Sequence, residues 1–398
     1  MRPGPRIVIA GGGFAGLWAA IGAAAALEQL GVEGSISLVN RDPWLTIRPR
    51  LYEQAPENLH VPLGLLNELG IRLIVAEIAG IDPSARVLQL NAGRRNPNEL
   101  PYDALVLATG SRLVRAPADH TVACVFNADT PVNAARLWKR LDLASATAAA
   151  PTVAVVGGGL TGIEFASEIA TKVDCARVCL LDAAPELAAS YEPAARAEIT
   201  TALQQLGVDV HSGVRVAGLQ EGAVVLDEGG KLNADIIVWS AGLEATPTAL
   251  PQALPRDQLG RIVVGLDLAV DGYEGLYAAG DAAAVPLEEN RSAPMSCQMA
   301  IPTGKTAGRN AVAHLFDAPK EAFAYDGYVT CLDLGGAGAV FTTGWQRRLE
   351  LSGTEGKKRK QLINHRLIYP PRERTRLLAA GSHPATAAER IESAGARG

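Results

Sequence analysis

Arg6-Ile7-Val8-Ile9-Ala10-Gly11-Gly12-Gly13-Phe14-Ala15-Gly16 decides the fold, because the chain spells it twice. It returns as Thr152-Val153-Ala154-Val155-Val156-Gly157-Gly158-Gly159-Leu160-Thr161-Gly162. Each copy is an apolar strand-like run, a GxGxxG loop, then small and apolar residues at helical spacing. A lone GxGxxG is a weak signal; two, each set between a strand and a helix, are a strong one. One glycine makes the turn, the next lets the backbone approach a pyrophosphate, and the third packs helix against strand. The helix that follows offers free N–H groups and its positive dipole end to the phosphates. Two loops therefore imply two dinucleotides, most simply one flavin and one nicotinamide. Gly11, Gly13, Phe14, Ala15 and Gly16 are the expected contacts of the first, and Gly157, Gly159, Leu160, Thr161 and Gly162 those of the second.

Outward from the loops the pattern continues. Residues 6–39 read strand, loop, helix, strand, ending in Ser35-Ile36-Ser37-Leu38-Val39, and residues 152–181 repeat this, ending in Val178-Cys179-Leu180-Leu181. Alternating α and β elements predict parallel sheets with right-handed crossovers, an α/β fold. The run from Asp103 to Gly110 is echoed by Asp235 to Gly242, a repeat at domain scale. A further strand, Gly275-Leu276-Tyr277-Ala278-Ala279, ends at Gly280-Asp281, and a helix is predicted through Pro302 to Phe316. Residues 326–345 read as β-rich and Gly-rich, 357–376 as strongly basic, and 383–398 as a frayed end.

Gross numbers bound the rest. A length of 398 predicts two to three domains. The composition, 48% hydrophobic and 20% charged, is that of a packed globular chain. A net charge of −5 gives no reason to expect nucleic acid. The five cysteines are irregularly spaced and include no CxxC, so no disulfide scaffold and no metal site are expected, and reduced thiols in the cytoplasm are the default. No apolar run reaches the ~18–20 residues of a transmembrane helix. Arg2, Arg6 and the apolar stretch up to Ala26 imitate a signal peptide, but the glycine loop accounts for the same residues better.

On these residues the chain resembles the two-dinucleotide-binding-domain flavoproteins, and among them most the type II NADH dehydrogenases. The signature runs from residue 6 to about 318. It comprises the two glycine loops, Leu107-Ala108-Thr109-Gly110, Glu164, Val238 to Gly242, and Tyr277 to Asp281. Past about residue 345 the likeness is much weaker. The resemblance implies two Rossmann-like three-layer α/β domains. Residues 1–114 and 248–318 would form an FAD-binding domain, 115–247 an NAD-binding domain inserted into it, and 319–398 a C-terminal α+β region with a flexible tail. It also implies an FAD-dependent NADH oxidoreductase. Hydride would pass from NADH to flavin N5, and electrons then to a second, small-molecule acceptor, quinone-like or aromatic, at the opposite face.

The resemblance carries over to single residues. Asn40, followed by Arg41, stands where the family usually has an acid bonding the adenosine ribose of FAD; the other reading is a turn residue. Asp182 ends the matching strand about 20 residues after Gly162, where a carboxylate bonds the NAD ribose and repels the 2′-phosphate of NADP. No Arg follows within Ala183-Ala184-Pro185-Glu186, so NADH is expected over NADPH. Gly280-Asp281 matches the family's hold on the ribityl or pyrophosphate part of FAD, and Ala108, Thr109, Gly110, Ala241 and Gly242 fall at the two sites. Glu164 would lie near nicotinamide and flavin; its other reading is an exposed first-turn Glu favoured by the helix dipole.

The acceptor side is read from Cys297-Gln298-Met299-Ala300-Ile301-Pro302. Type II NADH dehydrogenases carry Ala-Gln-x-x-x-Gln here, beside the quinone site and at a helix N-terminus aimed at the flavin. This chain keeps Gln298 and replaces the second Gln by Pro302, so a quinone would be held loosely. Glu164, Gln298 and Cys297 are the catalytic candidates, with Gln298 also touching cofactor. Residues 41–60 contain no Cys, which excludes the redox pair of the disulfide reductases. Cys297 and Cys331 keep a thiol- or sulfide-oxidising flavoprotein open; a soluble NADH oxidase and a nucleotide-gated redox sensor also stay open. The run Lys357-Lys358-Arg359-Lys360, with Arg366, Arg372, Arg374 and Arg376, reads as a solvated basic tail or a weak peripheral contact with the inner face of a membrane. The apolar stripe beside it, Leu362, Ile363, Leu367, Ile368 and Tyr369, is short and stopped by Pro370-Pro371. A homodimer is left open.

Overall fold

The doubled motif becomes a doubled sheet. The computed structural model describes residues 4–91, 98–117, 123–146, 150–246, 254–288 and 291–382. The boundary expected at 247/248 and the frayed end expected at 383–398 lie outside the described residues. In chain order the sheet strands are β1 (Arg6–Ala10), β2 (Ser35–Asn40), β3 (Arg72–Val75), β4 (Ala104–Leu107), β5 (Val125–Asn127), β6 (Thr152–Val156), β7 (Arg177–Asp182), β8 (Asp209–Ser212), β9 (Ile236–Trp239) and β10 (Leu276–Ala278). The first sheet has the order β10-β4-β1-β2-β3 and the second β5-β9-β6-β7-β8. Every pairing in both is parallel. Parallel sheets are covered on both faces, which is why β4 and β9 are buried along their whole length.

The second sheet falls in the chain between β4 and β10, and its two connections to the first lie side by side. Ser111–Leu113 leaves beside Leu243–Ala245 returning, as an antiparallel pair. The Asp-strand-Gly echo has one physical cause. Asp103 Oδ2 accepts the first N–H of β1, from Arg6, at 2.7 Å. Asp235 Oδ2 accepts the first N–H of β6, from Thr152, at 2.8 Å.

Helix α1 (Phe14–Leu30) is buried from Phe14 to Leu27, with no polar face over that stretch. It lies against the first sheet and against two later helices. Helix α2 (Leu160–Lys172) is its counterpart on the second sheet. Helix α3 (Cys297–Leu315) crosses α1 with its backbone in contact: a Cβ on Gly304 would stand 2.2 Å from Ala15 O, and one on Gly308 2.0 Å from Ala19 O. It begins five residues before the predicted Pro302, because Ser296 caps it and accepts the Met299 N–H at 3.3 Å. Pro302 then sits inside the helix, where it cannot donate to the Gln298 carbonyl one turn back.

The C-terminal region is α+β, as read. Residues 329–333, 339–343 and 348–351 form an antiparallel sheet, followed by α4 (Gly353–Leu362) and α5 (Arg374–Ser382). This sheet docks on α2, where the Gly336 N–H donates to Thr171 Oγ1 at 2.8 Å. Among the described residues no helix is long and apolar enough to cross a membrane.

Candidate functional site

The two glycine loops have the same geometry. Gly11 and Gly157 turn with φ of 108° and 111°, a region closed to most side chains. A Cβ on Gly16 would stand 1.7 Å from Gly11 O, and one on Gly162 1.8 Å from Gly157 O, so the last glycine lets each helix fold over its own turn. Gly13 and Gly159 have nothing within 4 Å, which leaves that side of each loop open. Gly12 and Gly158 were passed over in the sequence as mere x positions. A Cβ there would collide with Asn40 at 2.7 Å and with Asp182 at 2.5 Å, so the middle glycine admits the side chain that ends the second strand.

Those two strand ends differ. Asn40 is clipped into the loop: its Oδ1 accepts the Gly12 N–H at 2.9 Å, and its Nδ2 donates to Asp42 O at 2.9 Å and Trp44 O at 3.3 Å. It thus shapes the turn as well as facing the loop, and an acid could not make both donations. The Asp182 carboxylate lies over Gly158 with no hydrogen-bond donor among the described residues.

Asp281 sits at the end of β10 against α1, where a Cβ on Gly280 would stand 2.6 Å from Ala15 Cβ. Its Oδ2 accepts from Ser111 Oγ at 2.6 Å. Its Oδ1 is buried and has no partner. Burial lifts this carboxyl above its usual range, against the pull of the Ser111 hydrogen bond and the Arg48 guanidinium. Arg48 donates to Ser111 O at 3.1 Å and Oγ at 3.2 Å, and pairs with Asp129. Thr303 Oγ1 accepts the Gly280 N–H at 3.0 Å. Arg48, Ser111, Asp129 and Thr303 carry no motif and were not foreseen. A buried, unpaired oxygen beside an open glycine loop needs a hydroxyl donor, and the ribityl or ribose part of FAD offers one. The first loop therefore fits FAD.

Glu164 is not an exposed first-turn residue: it is 7% exposed. Its Oε1 accepts from Lys360 Nζ at 2.7 Å and from the Asp333 N–H at 3.2 Å. Lys360, 6% exposed, also donates to Cys331 O at 3.0 Å. Burial lifts the Glu164 carboxyl above its usual range despite Lys360. Burial works to lower Lys360, but Glu164, Cys331 and Asp333 outweigh it and hold the ammonium charged. Around the pair, Tyr52 Oη donates to Asp333 Oδ2 at 3.0 Å, and Asn364 Nδ2 donates to Tyr52 Oη at 3.1 Å. A polar cleft of about 310 Å³, lined by Tyr52, Glu168, Asp333, Lys357 and Asn364, opens onto Lys360.

This corrects the reading of the basic run at Lys357 and Lys360, while Lys358, Arg366, Arg372, Arg374 and Arg376 are exposed, as a solvated run would be. Lys360 and Lys357 point inward, Lys357 to Asp333. Lys358 pairs with Glu355, Arg359 lies over Phe341, and Arg374 pairs with Glu28. A charge run reads as surface because nothing local says otherwise; the partners of Lys357 and Lys360 come from α2 and from the strand at 329–333.

Gln298 is committed elsewhere than to an open site. With its amide oriented to satisfy both ends, it donates to Val329 O at 2.8 Å and accepts from Val329 N at 3.1 Å and Tyr325 Oη at 2.8 Å. Cys297 and Cys331 are both half-buried. Burial pushes the Cys331 thiol up to about 12.

The sequence profile described as pyridine nucleotide-disulphide oxidoreductase matches residues 5–304, and the chain belongs to that family. It is an FAD-dependent oxidoreductase that draws its electrons from NADH. An NADH dehydrogenase-like protein of Mycobacterium tuberculosis is 40% identical over 395 residues, covering 95% of this chain and 98% of the relative. A demethylphylloquinone reductase of Synechocystis is 28% identical, covering 92% and 91%. Among solved structures, the sulfide:quinone oxidoreductase of Aquifex aeolicus superposes with a TM-score of 0.77 at 20% identity, over 95% of this chain and 92% of that one, a likeness of fold.

Proposed function

We propose that this chain oxidises NADH and passes the electrons to a quinone-like or small aromatic acceptor that it holds loosely. The observation that carries the reading is the asymmetry of the two loops. One faces the unpaired oxygen of Asp281, and the other the unbonded carboxylate of Asp182. Asp281 Oδ1 takes a hydroxyl donor of FAD. Asp182 takes the ribose hydroxyls of NADH and repels a 2′-phosphate. The open sides of Gly13 and Gly159 admit the two pyrophosphates. Bound FAD supplies the two-electron chemistry that links NADH to the acceptor. Glu164, buried and paired with Lys360 under the polar cleft, holds the C-terminal region against the helix that follows the second loop.

Names among the relatives support the acceptor class, since the Synechocystis protein reduces a quinone by its name. The start of α3 supports the loose hold. Gln298 spends its carbonyl oxygen and one of its two amide N–H groups on Val329 and Tyr325, and Pro302 has no N–H, so the pair offers at most one hydrogen bond to a quinone carbonyl. A thiol route would need a thiolate, and the Cys331 thiol is neutral at physiological pH.

The test is anaerobic. The yellow protein is titrated with NADH, and the bleached flavin is then mixed with a soluble naphthoquinone, oxygen or a protein carrier. Fast bleaching followed by quinone reoxidation with poor saturation is expected. Bleaching by sulfide instead of NADH, or reoxidation by quinone no faster than by oxygen, overturns the proposal.

A further inference from the structure

Cys179, Asp209 and His211 meet at the edge of the second sheet. Cys179 on β7 is the register partner of Asp209 on β8, the outermost strand. His211 follows two residues later, so all three side chains leave the same face. One ligand atom from each, Sγ, a carboxylate oxygen and a ring nitrogen, lies within 4.8 Å of the other two. His211 Nε2 and Asp209 Oδ2 are 3.0 Å apart. Cys179 and His211 are half-buried, and Asp209 is exposed.

We propose that Cys179, Asp209 and His211 bind one divalent cation of the zinc class. A thiolate, an imidazole and a carboxylate together suit a borderline-soft ion and not Mg²⁺ or Ca²⁺, which take oxygen ligands. Zinc holds such ligands at about 2.0–2.3 Å in a tetrahedron, roughly 3.5 Å from one another, and three protein ligands leave the fourth corner for water. The three ligand atoms already lie near that spacing, and exposed Asp209 has the freedom to turn from its 3.0 Å contact with His211 toward a shared ion. On binding, the Cys179 S–H bond breaks, an S–metal bond forms, and the proton leaves to solvent. No sequence motif announces the site, because a CxxC-type search sees only neighbours in one segment, and these ligands come from two strands. The metal would tie β7 to β8 just before Asp182, whose register partner is Ser212.

The FAD-loaded protein, stripped of metal with a chelator, is titrated with Co²⁺. Its d–d bands lie at longer wavelength than the flavin, and Zn²⁺ is then added. The expected result is one Co²⁺ per chain with tetrahedral d–d bands and a thiolate-to-cobalt band, both lost on adding Zn²⁺. Cys179→Ser should abolish the thiolate band, and His211→Ala and Asp209→Asn should each weaken binding by roughly tenfold or more. Cys175→Ser, which removes the exposed thiol nearby, should change nothing. Absence of the bands, their survival in Cys179→Ser, or their loss in Cys175→Ser overturns the proposal. If Cys179→Ser does not fold, unchanged affinity in Asp209→Asn overturns it alone.

Discussion

Glu164 and Lys360 are 196 positions apart in the chain and meet at 2.7 Å inside it. One is on the first turns of α2, the other on α4, so the pair pins the C-terminal region to the helix that follows the second glycine loop. Both are buried, and a buried pair matters most when one partner is removed.

Lys360→Met is therefore expected to cost about 3–5 kcal/mol, because it strands a buried carboxylate. The cost should depend on pH. A carboxyl raised on folding binds its proton more tightly in the folded state. Its stabilising share is complete below the ordinary carboxyl range and is lost as pH rises through the raised value. Without Lys360 that value rises further, so the variant should weaken progressively relative to the parent as pH rises above the ordinary carboxyl range. Adding Glu164→Gln should remove both the pH slope and most of the deficit. Thermal melts across a pH series decide, and a deficit independent of pH sinks the idea.

The two loops should fail separately. Gly16→Ala and Gly162→Ala drive a Cβ into the loop's own carbonyl, at 1.7 Å and 1.8 Å. Gly16→Ala is expected to lose FAD on gel filtration. Gly162→Ala should stay yellow but bleach with NADH at least about tenfold more slowly, a change of ~1.4 kcal/mol. A Gly162→Ala protein without flavin, beside a yellow Gly16→Ala, would reverse the assignment of the loops.

Asp182 should set the choice of nicotinamide cofactor. The parent is expected to prefer NADH in kcat/KM. Asp182→Ser with Ala183→Arg should move the ratio toward NADPH by about 100-fold, since a charge-assisted hydrogen bond to the 2′-phosphate is worth ~1.5–3 kcal/mol. Faster oxidation of NADPH than NADH by the parent, at equal low concentrations, contradicts this.

What the sequence showed and what it hid divide by range. The loops and the parallel sheets are legible because each rests on a strand, turn and helix within one short segment. Gly12 and Gly158 were hidden because their partners, Asn40 and Asp182, come from the next strand. Arg48, Ser111 and Asp281 converge from three distant segments, and no spacing announces them. Asn40 read as a weakened acid, yet its two donations to Asp42 O and Trp44 O are what an amide alone provides. The basic run misled at Lys357 and Lys360 because charge runs are usually solvated. Only the position of α2 against α4 shows Lys360 to be internal.

Gln298→Ala should separate the two half-reactions. The Gln298 amide joins the start of α3 to Val329 and Tyr325, so Gln298→Ala should lower stability by about 1–3 kcal/mol, leaving Val329 groups unpaired. It should also let the helix start shift against the acceptor side. Reoxidation by quinone is then expected to slow severalfold, while NADH bleaching, governed by the second loop, stays within about twofold, a difference under ~0.5 kcal/mol. Tyr325→Phe removes one of the three hydrogen bonds and should reproduce a smaller part of both effects. A residue that touched the acceptor would raise its KM without moving the melting temperature, and Tyr325→Phe would then be silent. Equal slowing of bleaching and reoxidation by Gln298→Ala would instead place Gln298 at the hydride step and refute the positioning role.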